Sequence, residues 1–417
     1  MHVLFINQYY WPDVAATAQI LTDLAEFLAG RGHEVTVVCS RQPYTGDGGS
    51  LPPGQVRNGV RIVRVPATGG GRRTGSVRRA ADCLSFFLGA GVEAFLLARP
   101  GTIVVTLTSP PMIGLLGRAI QLLRRAHHLH WCMDMCPDLL IANGFIEAGG
   151  WAHRVLSFAA RGYVSACDAV CVLGPYMKER IQTYNPPRGR LYIMPVWADG
   201  KRLAPIPRKQ NRFIDRCGLT GKFVVLYSGN IGTGESLDTI LDAAERLAED
   251  DGIVFVFIAE GPQRDRLEAT ARARGLANVR FLPYEDRRDL AYSLSSGHVH
   301  VVYFGPGRDG MKVPCKTYGI MAVGGPILYV GSAGNEVADL VSTNRIGFVV
   351  RDGDAPGVVA AIKTLRSDPG LLREMSYRSR TVFEREYDFE IVAGRFNTLL
   401  HTLFSQRKWP PRRKAFS

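Results

Sequence analysis

The chain has 417 residues, 46% of them hydrophobic and 21% charged, with a formal net charge of +13. That composition reads as globular, the length exceeds one ordinary core and predicts two domains, and eight cysteines spread through the chain fit no small disulfide scaffold. The basic excess points to a polyanionic partner: nucleic acid, an acidic membrane face or phosphorylated small molecules.

The chain opens on the apolar run "HVLFI", with no cleavable signal pattern. A helix follows, with Ile20, Leu21, Leu24, Phe27 and Leu28 at helical spacing, closed by Gly30 and Gly32. "EVTVVCS" and "VRIVRV" read as strands. A long apolar helix covers Cys83 to Ala98, broken by Glu93 and flanked by Arg78, Arg79 and Arg99, and no stretch has the uninterrupted apolar length of a spanning helix. "GTIVVTLTS", "LHWCMD" and "DAVCVLG" continue the strand series. Strands separated by helices predict a parallel sheet with right-handed crossovers. Cys132/Cys136 and Cys167/Cys171 are C-x3-C pairs, but no His follows at a zinc spacing, so they read as reduced thiols and no metal is expected.

The polar, basic stretch Trp197 to Lys222 reads as a linker, after which the series restarts with "KFVVLYSGNIG", "GIVFVFIAEGP", "NVRFLPY", "VHVVYF" and "PILYVG". The fold class is therefore α/β, with two tandem Rossmann-like doubly wound domains facing a central cleft. The boundaries are 1–200 for the first domain and 201–385 for the second, with 386–417 as a C-terminal helix that crosses back to the first domain, ending in the basic tail "RKWPPRRKAFS".

Ligands of doubly wound sheets bind beyond the carboxyl ends of strands, so the turns after strands carry the candidate chemistry. "SGNIGTGES" places Gly229, Asn230 and Gly232 before a helix, where backbone N–H groups cradle phosphate. It is not G-x-G-x-x-G, which argues against a nicotinamide cofactor. "AEGPQRDRLE" places Gly261 and Pro262 at a strand end, and "FLPYEDRRDL" places Tyr284 at another. In "GRDGMKVPCKTYGIMAVGGP" three cations, Arg308, Lys312 and Lys316, stand where a loop feeds a helix. A helix N-terminus carries about half a positive charge, so cations gathered there favour a bound anion, and two or three charge-assisted bonds would hold a diphosphate. In the first half, "YYWPDVAATAQ" follows the first strand. The small residues around Ala16 and Thr17 let backbone approach a ligand, while Asp13 is a candidate cap. Asp134 stands at the end of the strand "LHWCMD".

Several stretches occur together and in order: "GRGHEVTVV" (30–38), "DMCPD" (134–138), "AEGPQRDRLE", "VRFLPYEDRRDLAYSLSSGHVHVV" and "VPCKTYGIMAVGGPI". In this the chain resembles the retaining glycosyltransferases of family four, which have the GT-B fold, and among them the bacterial branch that builds surface polysaccharide on lipid carriers. The last stretch is similar to that branch's P-S-K-x-Y segment, with Cys315 in place of Ser and Tyr318 in place. The resemblance implies glycosyl transfer from a nucleoside diphosphate sugar, UDP-linked, to an acceptor hydroxyl, with no further cofactor. It makes Lys316, Arg308 and Asp134 the catalytic candidates. Gly229, Asn230, Gly232, Gly261, Pro262, Tyr284, Lys312, Tyr318, Ala16 and Thr17 become the donor-binding candidates. Two departures matter. Asn230 and Glu235 stand where many relatives hold the diphosphate with Arg and Lys. Met311 and Gly319 stand where many carry a pair of glutamates, which leaves Glu336 as the substitute ribose ligand.

The segment "RRTGSVRRAADCLSFFLGAGVEAFLLAR" joins Arg72, Arg73, Arg78 and Arg79 to the long apolar helix, and "IGLLGRAIQLLRRAHHLH" joins it. Such a face suits an anionic membrane surface and a polyprenyl-diphosphate-linked sugar or glycan acceptor. The expected place is the cytoplasmic side of the cell membrane, without nucleic acid. A sugar epimerase of the same fold and a basic nucleic-acid-binding protein are the alternatives.

Overall fold

The computed structural model describes residues 1–44, 50–68, 76–232 and 234–405. The chain forms two compact units. The first is Met1–Pro195 with Gly310–Lys312 and the chain from Ala393 onward; the second is Val196–Asp309 with Val313–Val392.

The first unit is built on β1 (His2–Ile6), β2 (Glu34–Ser40), β3 (Gly54–Arg57), β4 (Val60–Val65), β5 (Ile103–Thr106), β6 (His127–Trp131), β7 (Ala169–Val172) and β8 (Leu191–Ile193). Their order is β3-β4-β2-β1-β5-β6-β7-β8. Among the described residues only β3 and β4 of this sheet pair antiparallel. Val3 of β1 pairs with Val35 on one side and Ile103 on the other. Strands covered on both faces must be apolar throughout, and every residue of β1, β5 and β7 is buried. The chain leaves β1 toward β2 and returns to its other side at β5, so the crevice beyond β1 and β5 is the topological switch point.

The helix Ser76–Leu97 packs Phe86, Ala90 and Ala94 into the core beside Leu4, Ile6 and Val38. Its window Ala80–Leu97, with mean hydropathy 1.6, is long and apolar enough to cross a membrane by length and composition, contrary to the sequence expectation. It nonetheless lies along the sheet, because that row of small and aromatic side chains is buried there. Arg72 and Arg73 lie outside the described residues, as does the basic tail 407–417. In the helix Phe389–Ser405, Phe396 packs on Trp131 at 4.9 Å between centroids, and Asn397 hydrogen-bonds His33 at 2.7 Å, all within the first unit.

The second unit carries β9 (Phe223–Asn230), β10 (Ile253–Glu260), β11 (Val279–Leu282), β12 (Val299–Phe304), β13 (Ile327–Gly331) and β14 (Gly347–Val350), in the order β11-β10-β9-β12-β13-β14. All pairs are parallel. The chain steps outward through β10 and β11, then returns to β12 beside β9. The switch point therefore lies beyond Asn230 and Phe304.

The stretch 197–222 is not a linker but part of the second unit. Asn211 caps the helix Arg212–Arg216 by accepting from the Phe213 N–H at 3.0 Å, and its Nδ2 donates to the Tyr292 carbonyl at 2.8 Å. Phe213, Ile214 and Leu219 are buried against Val224, Leu226 and Val256. These apolar anchors are interspersed with Arg212, Asp215 and Arg216, which gave the stretch its polar reading.

Candidate functional site

The switch point of the second unit gathers the turn after β9 and the loop after β12. The helix Lys316–Ala322 begins after Pro314 and stops before Gly324, whose φ of 68° ends it. Its first residue sends Nζ to the Tyr227 hydroxyl of β9 at 2.6 Å, and Nζ also sits 3.9 Å from the centre of that ring. The Tyr227 hydroxyl donates to Glu235 Oε2 at 2.7 Å, and Glu235 lies 4.0 Å from Lys316 Nζ. Burial raises the Tyr227 pKa well above its ordinary value, and Glu235 adds to this, so the phenol keeps its proton. Lys316 and Glu235 side chains are only 17% and 18% exposed. The ammonium is thus held at the strand ends rather than released to bulk solvent.

The glycines of this turn, and Gly261 in the turn after β10, are required by close approach. Gly229 has φ 143°, and a Cβ on it would lie 3.1 Å from Lys316 Cε and Nζ. Gly261, with φ 120°, would bring a Cβ to 2.5 Å from the Ile231 carbonyl oxygen and 2.7 Å from Asn230 Oδ1. Arg308 reaches back to the same turn: its NH1 donates to the Gly234 carbonyl at 2.9 Å, and a Cβ on Gly234 would strike the guanidinium. Asp309 fixes the loop that carries Arg308, accepting from Ser332 Oγ at 2.7 Å and Asn335 Nδ2 at 3.2 Å. Two cations beside glycine backbone at a switch point form a setting for a diphosphate. Glu235 is a carboxylate set against Lys316, through Tyr227.

The remaining sequence candidates are placed differently. Gly232 lies in the same turn, its N–H directed to Glu235 Oε2 at 3.5 Å. Pro262 is exposed beside Gly261, and Tyr284 is 48% exposed after β11. Tyr318 is buried with its ring 4.9 Å from that of Tyr387, which makes it part of the packing under the helix. Glu336 is half-buried in the first turn of the helix Glu336–Asn344, which Asn335 caps. Gly319 faces Leu203 and Leu294, whose Cδ1 atoms would lie 3.7 Å from an added Cβ, so its lack of a carboxylate suits an apolar contact.

Lys312 belongs to the first unit together with Met311. Met135 N–H donates to the Met311 carbonyl at 2.8 Å, which fastens this segment to the loop after β6. Asp134 lies in that loop; burial raises its carboxyl pKa, and Lys312 draws it back down. Lys312 is therefore the charge partner of Asp134. Ala16 and Thr17 open the helix Ala16–Gly30, whose cap position, Ala15, offers no side-chain acceptor. Asp13 is not that cap: its Oδ1 accepts from the Tyr44 N–H at 2.7 Å, and burial lifts its pKa to about 6. Among the described residues no group of three His, Cys, Asp or Glu is arranged to hold a metal ion.

Sequence reasoning missed Tyr227 and Asp309. Tyr227 sits in a strand and reads there as core; its only signal was a phenol at the carboxyl end of β9. Asp309 reads as an ordinary loop acid.

Residues 16–197 match the family described as glycosyl transferase 4-like domain, and residues 211–382 match glycosyl transferases group 1. WbjE of Pseudomonas aeruginosa, named as a probable glycosyltransferase, is 27% identical over 75% of this chain and 77% of its own length. WcaI of Escherichia coli (strain K12), named as a colanic acid biosynthesis glycosyl transferase, is 25% identical over 95% of this chain and 98% of its own. Among solved structures, sucrose-phosphate synthase of Thermosynechococcus elongatus superposes with a TM-score of 0.75 at 17% identity, covering 97% of this chain and 100% of that one. Anabaena HepE in complex with UDP superposes with a TM-score of 0.72 at 11% identity, covering 96% of this chain and 100% of that one. At such identities the structures speak to the fold alone, which is GT-B.

Proposed function

Because the chain belongs to the group 1 glycosyltransferases, enzymes represented among its relatives in polysaccharide biosynthesis, we propose that it moves a sugar from a uridine diphosphate donor to a lipid-linked or glycan acceptor, with retention at the anomeric carbon. The observation that carries this reading is Lys316, whose ammonium is held at the switch point of the second unit by Tyr227 and against Gly229. As the glycosidic bond breaks, negative charge grows on the departing diphosphate, and a preorganised cation there lowers the barrier. Arg308 assists from Gly234, and backbone N–H groups of the same turn complete the cradle. Uridine as the base draws support from HepE, which was solved with UDP. Asp134 of the first unit, with its pKa raised by burial, takes or steers the acceptor's proton.

The acceptor's lipid carrier brings the enzyme to an anionic membrane surface. In the first unit the helices Ser76–Leu97, Gly114–Arg124 and Trp151–Val164 pack side by side. Leu84, Leu88, Val92 and Leu96 form one row, 61–65% exposed, joined by Leu122, Leu123, Trp151 and Phe158. Exposed apolar area of this extent marks an interaction surface, and the exposed Arg99, Arg125 and Arg154 lie on these helices or within two residues of their ends, the basic accompaniment that an interfacial helix face carries.

A thermal-shift screen tests the donor. UDP and UDP-sugars raise the melting temperature, whereas a shift with GDP or ADP and none with UDP overturns the uridine assignment.

A further inference from the structure

The second unit holds a cavity at the other end of its sheet. It has a volume of about 400 Å³, within the range of small-molecule sites. It lies at the amino ends of β12 and β13, where His298 and His300 begin one strand and Gly324, Gly325 and Pro326 lead into the other. β12 separates it from the loop that bears Arg308.

Three features mark it as a built site. First, its lining includes three guanidinium groups, Arg208, Arg373 and Arg380, and, among the described residues, no carboxylate. Arg380 is committed to the carbonyls of Gly200, Leu203 and Ala322 and to Glu384. Arg208 uses one N–H on the Ser296 carbonyl at 2.7 Å, and Arg373 is exposed. Second, His300 is 1% exposed and neither of its ring nitrogens has a hydrogen-bond partner. Buried polar groups are nearly always paired, and a neutral imidazole presents one donor and one acceptor. Its ring is pressed against two glycine backbones: a Cβ on Gly325 would lie 2.6 Å from Nε2, and one on Gly297 2.9 Å from it. Third, His298 Nδ1 accepts from the Val224 N–H at 2.9 Å, which leaves its Nε2 as the donor. Leu294, Val323 and Leu372 supply apolar wall, and the Tyr377 ring stands 73% exposed at the margin.

We propose that this cavity is a second ligand site, which takes a small phosphomonoester: the phosphate on Arg208 and Arg373, an apolar body against Leu294, Val323 and Leu372, with His300 at the floor. The site is independent of the sugar-nucleotide reading, since it shares no residue with the turn after β9. Burial holds both histidines below their ordinary pKa, His298 at about 4 and His300 at about 3, so they act as neutral hydrogen-bonding groups and the arginines alone carry the charge.

Calorimetry on the full chain, with UDP saturating the other site, tests this with phenyl phosphate, inorganic phosphate and phenol as probes. Phenyl phosphate is expected to bind in the presence of UDP, more tightly than inorganic phosphate, while phenol does not bind. Arg373→Ala, at an exposed position, and Arg208→Ala each weaken phenyl phosphate about tenfold or more, and Lys316→Ala leaves it unchanged. The proposal is overturned by no binding, by binding that both arginine variants retain, or by binding that UDP displaces and Lys316→Ala abolishes, which would put the probe in the donor site. Equal affinity for phosphate and phenyl phosphate overturns the apolar wall.

Discussion

Lys316 Nζ and Glu235 Oε2 stand 4.0 Å apart, bridged by the hydroxyl of Tyr227. The cation proposed to meet the donor diphosphate is therefore pre-paired with a carboxylate. That pairing keeps the ammonium in place before donor arrives, and it opposes the incoming negative charge.

Replacing Glu235 by Gln removes the opposing charge while keeping an acceptor for Tyr227. UDP should then bind several-fold more tightly, since a unit charge at such a distance matters at the effective dielectric of a half-buried site. Titration calorimetry with UDP checks this. Weaker binding by the variant would mean that Glu235 contacts the nucleotide favourably.

At Gly229 the demand is steric. A Cβ at this position would approach Lys316 Nζ to 3.1 Å on a backbone with φ 143°, a region that L-residues avoid. Gly229→Ala should cost turnover about tenfold or more while the fold survives, as read by donor turnover alongside circular dichroism. Unchanged turnover would show that Lys316 can act from another position.

The fold was legible where burial forces an unbroken apolar run. β1, β2, β5 to β7, β9, β10, β12 and β13 read as strands because parallel strands are covered on both faces, while β4 ("VRIVRV") and β11 ("VRFL") are only partly buried and read as strands from their apolar residues alone. β3 escaped because "GQVR" carries polar residues at the sheet margin, and β8 and β14 because "LYI" and "GFVV" are too short to show a period. At the site, the cations could be read from their crowding before a helix. Their positioning could not: Tyr227 is indistinguishable from core in a strand, and the division that sets Lys312 beside Asp134 depends on how a loop folds back, which no local pattern encodes.

The membrane face predicts a surface effect without a stability cost. Leu88 is 63% exposed, so Leu88→Glu together with Val92→Glu should leave melting unchanged. Binding to anionic liposomes at low salt should fall about tenfold, from lost apolar insertion and added like charge. Sedimentation with vesicles measures it; undiminished binding removes this face from membrane contact.

Asp13 predicts a pH effect on stability. Its folded pKa, about 6, exceeds the ordinary 3.8. The folded state therefore holds the proton more tightly, and stability falls as pH rises between these values. Asp13→Asn, which retains an oxygen for the Tyr44 N–H, should stabilise the protein at pH 8 by about 1 kcal/mol, discounted for partial exposure, and by nothing at pH 4. Melting curves at the two pH values decide it; an equal gain at both would assign the effect to something other than ionisation.

The most direct measurement is single-turnover sugar transfer, or donor hydrolysis, by Lys316→Ala beside the parent enzyme, with folding verified by melting. If the ammonium steadies the leaving diphosphate, the rate falls at least about a hundredfold, close to 2.7 kcal/mol of lost transition-state stabilisation. A stable variant that loses less than about threefold, under 0.7 kcal/mol on the same scale, would contradict that role.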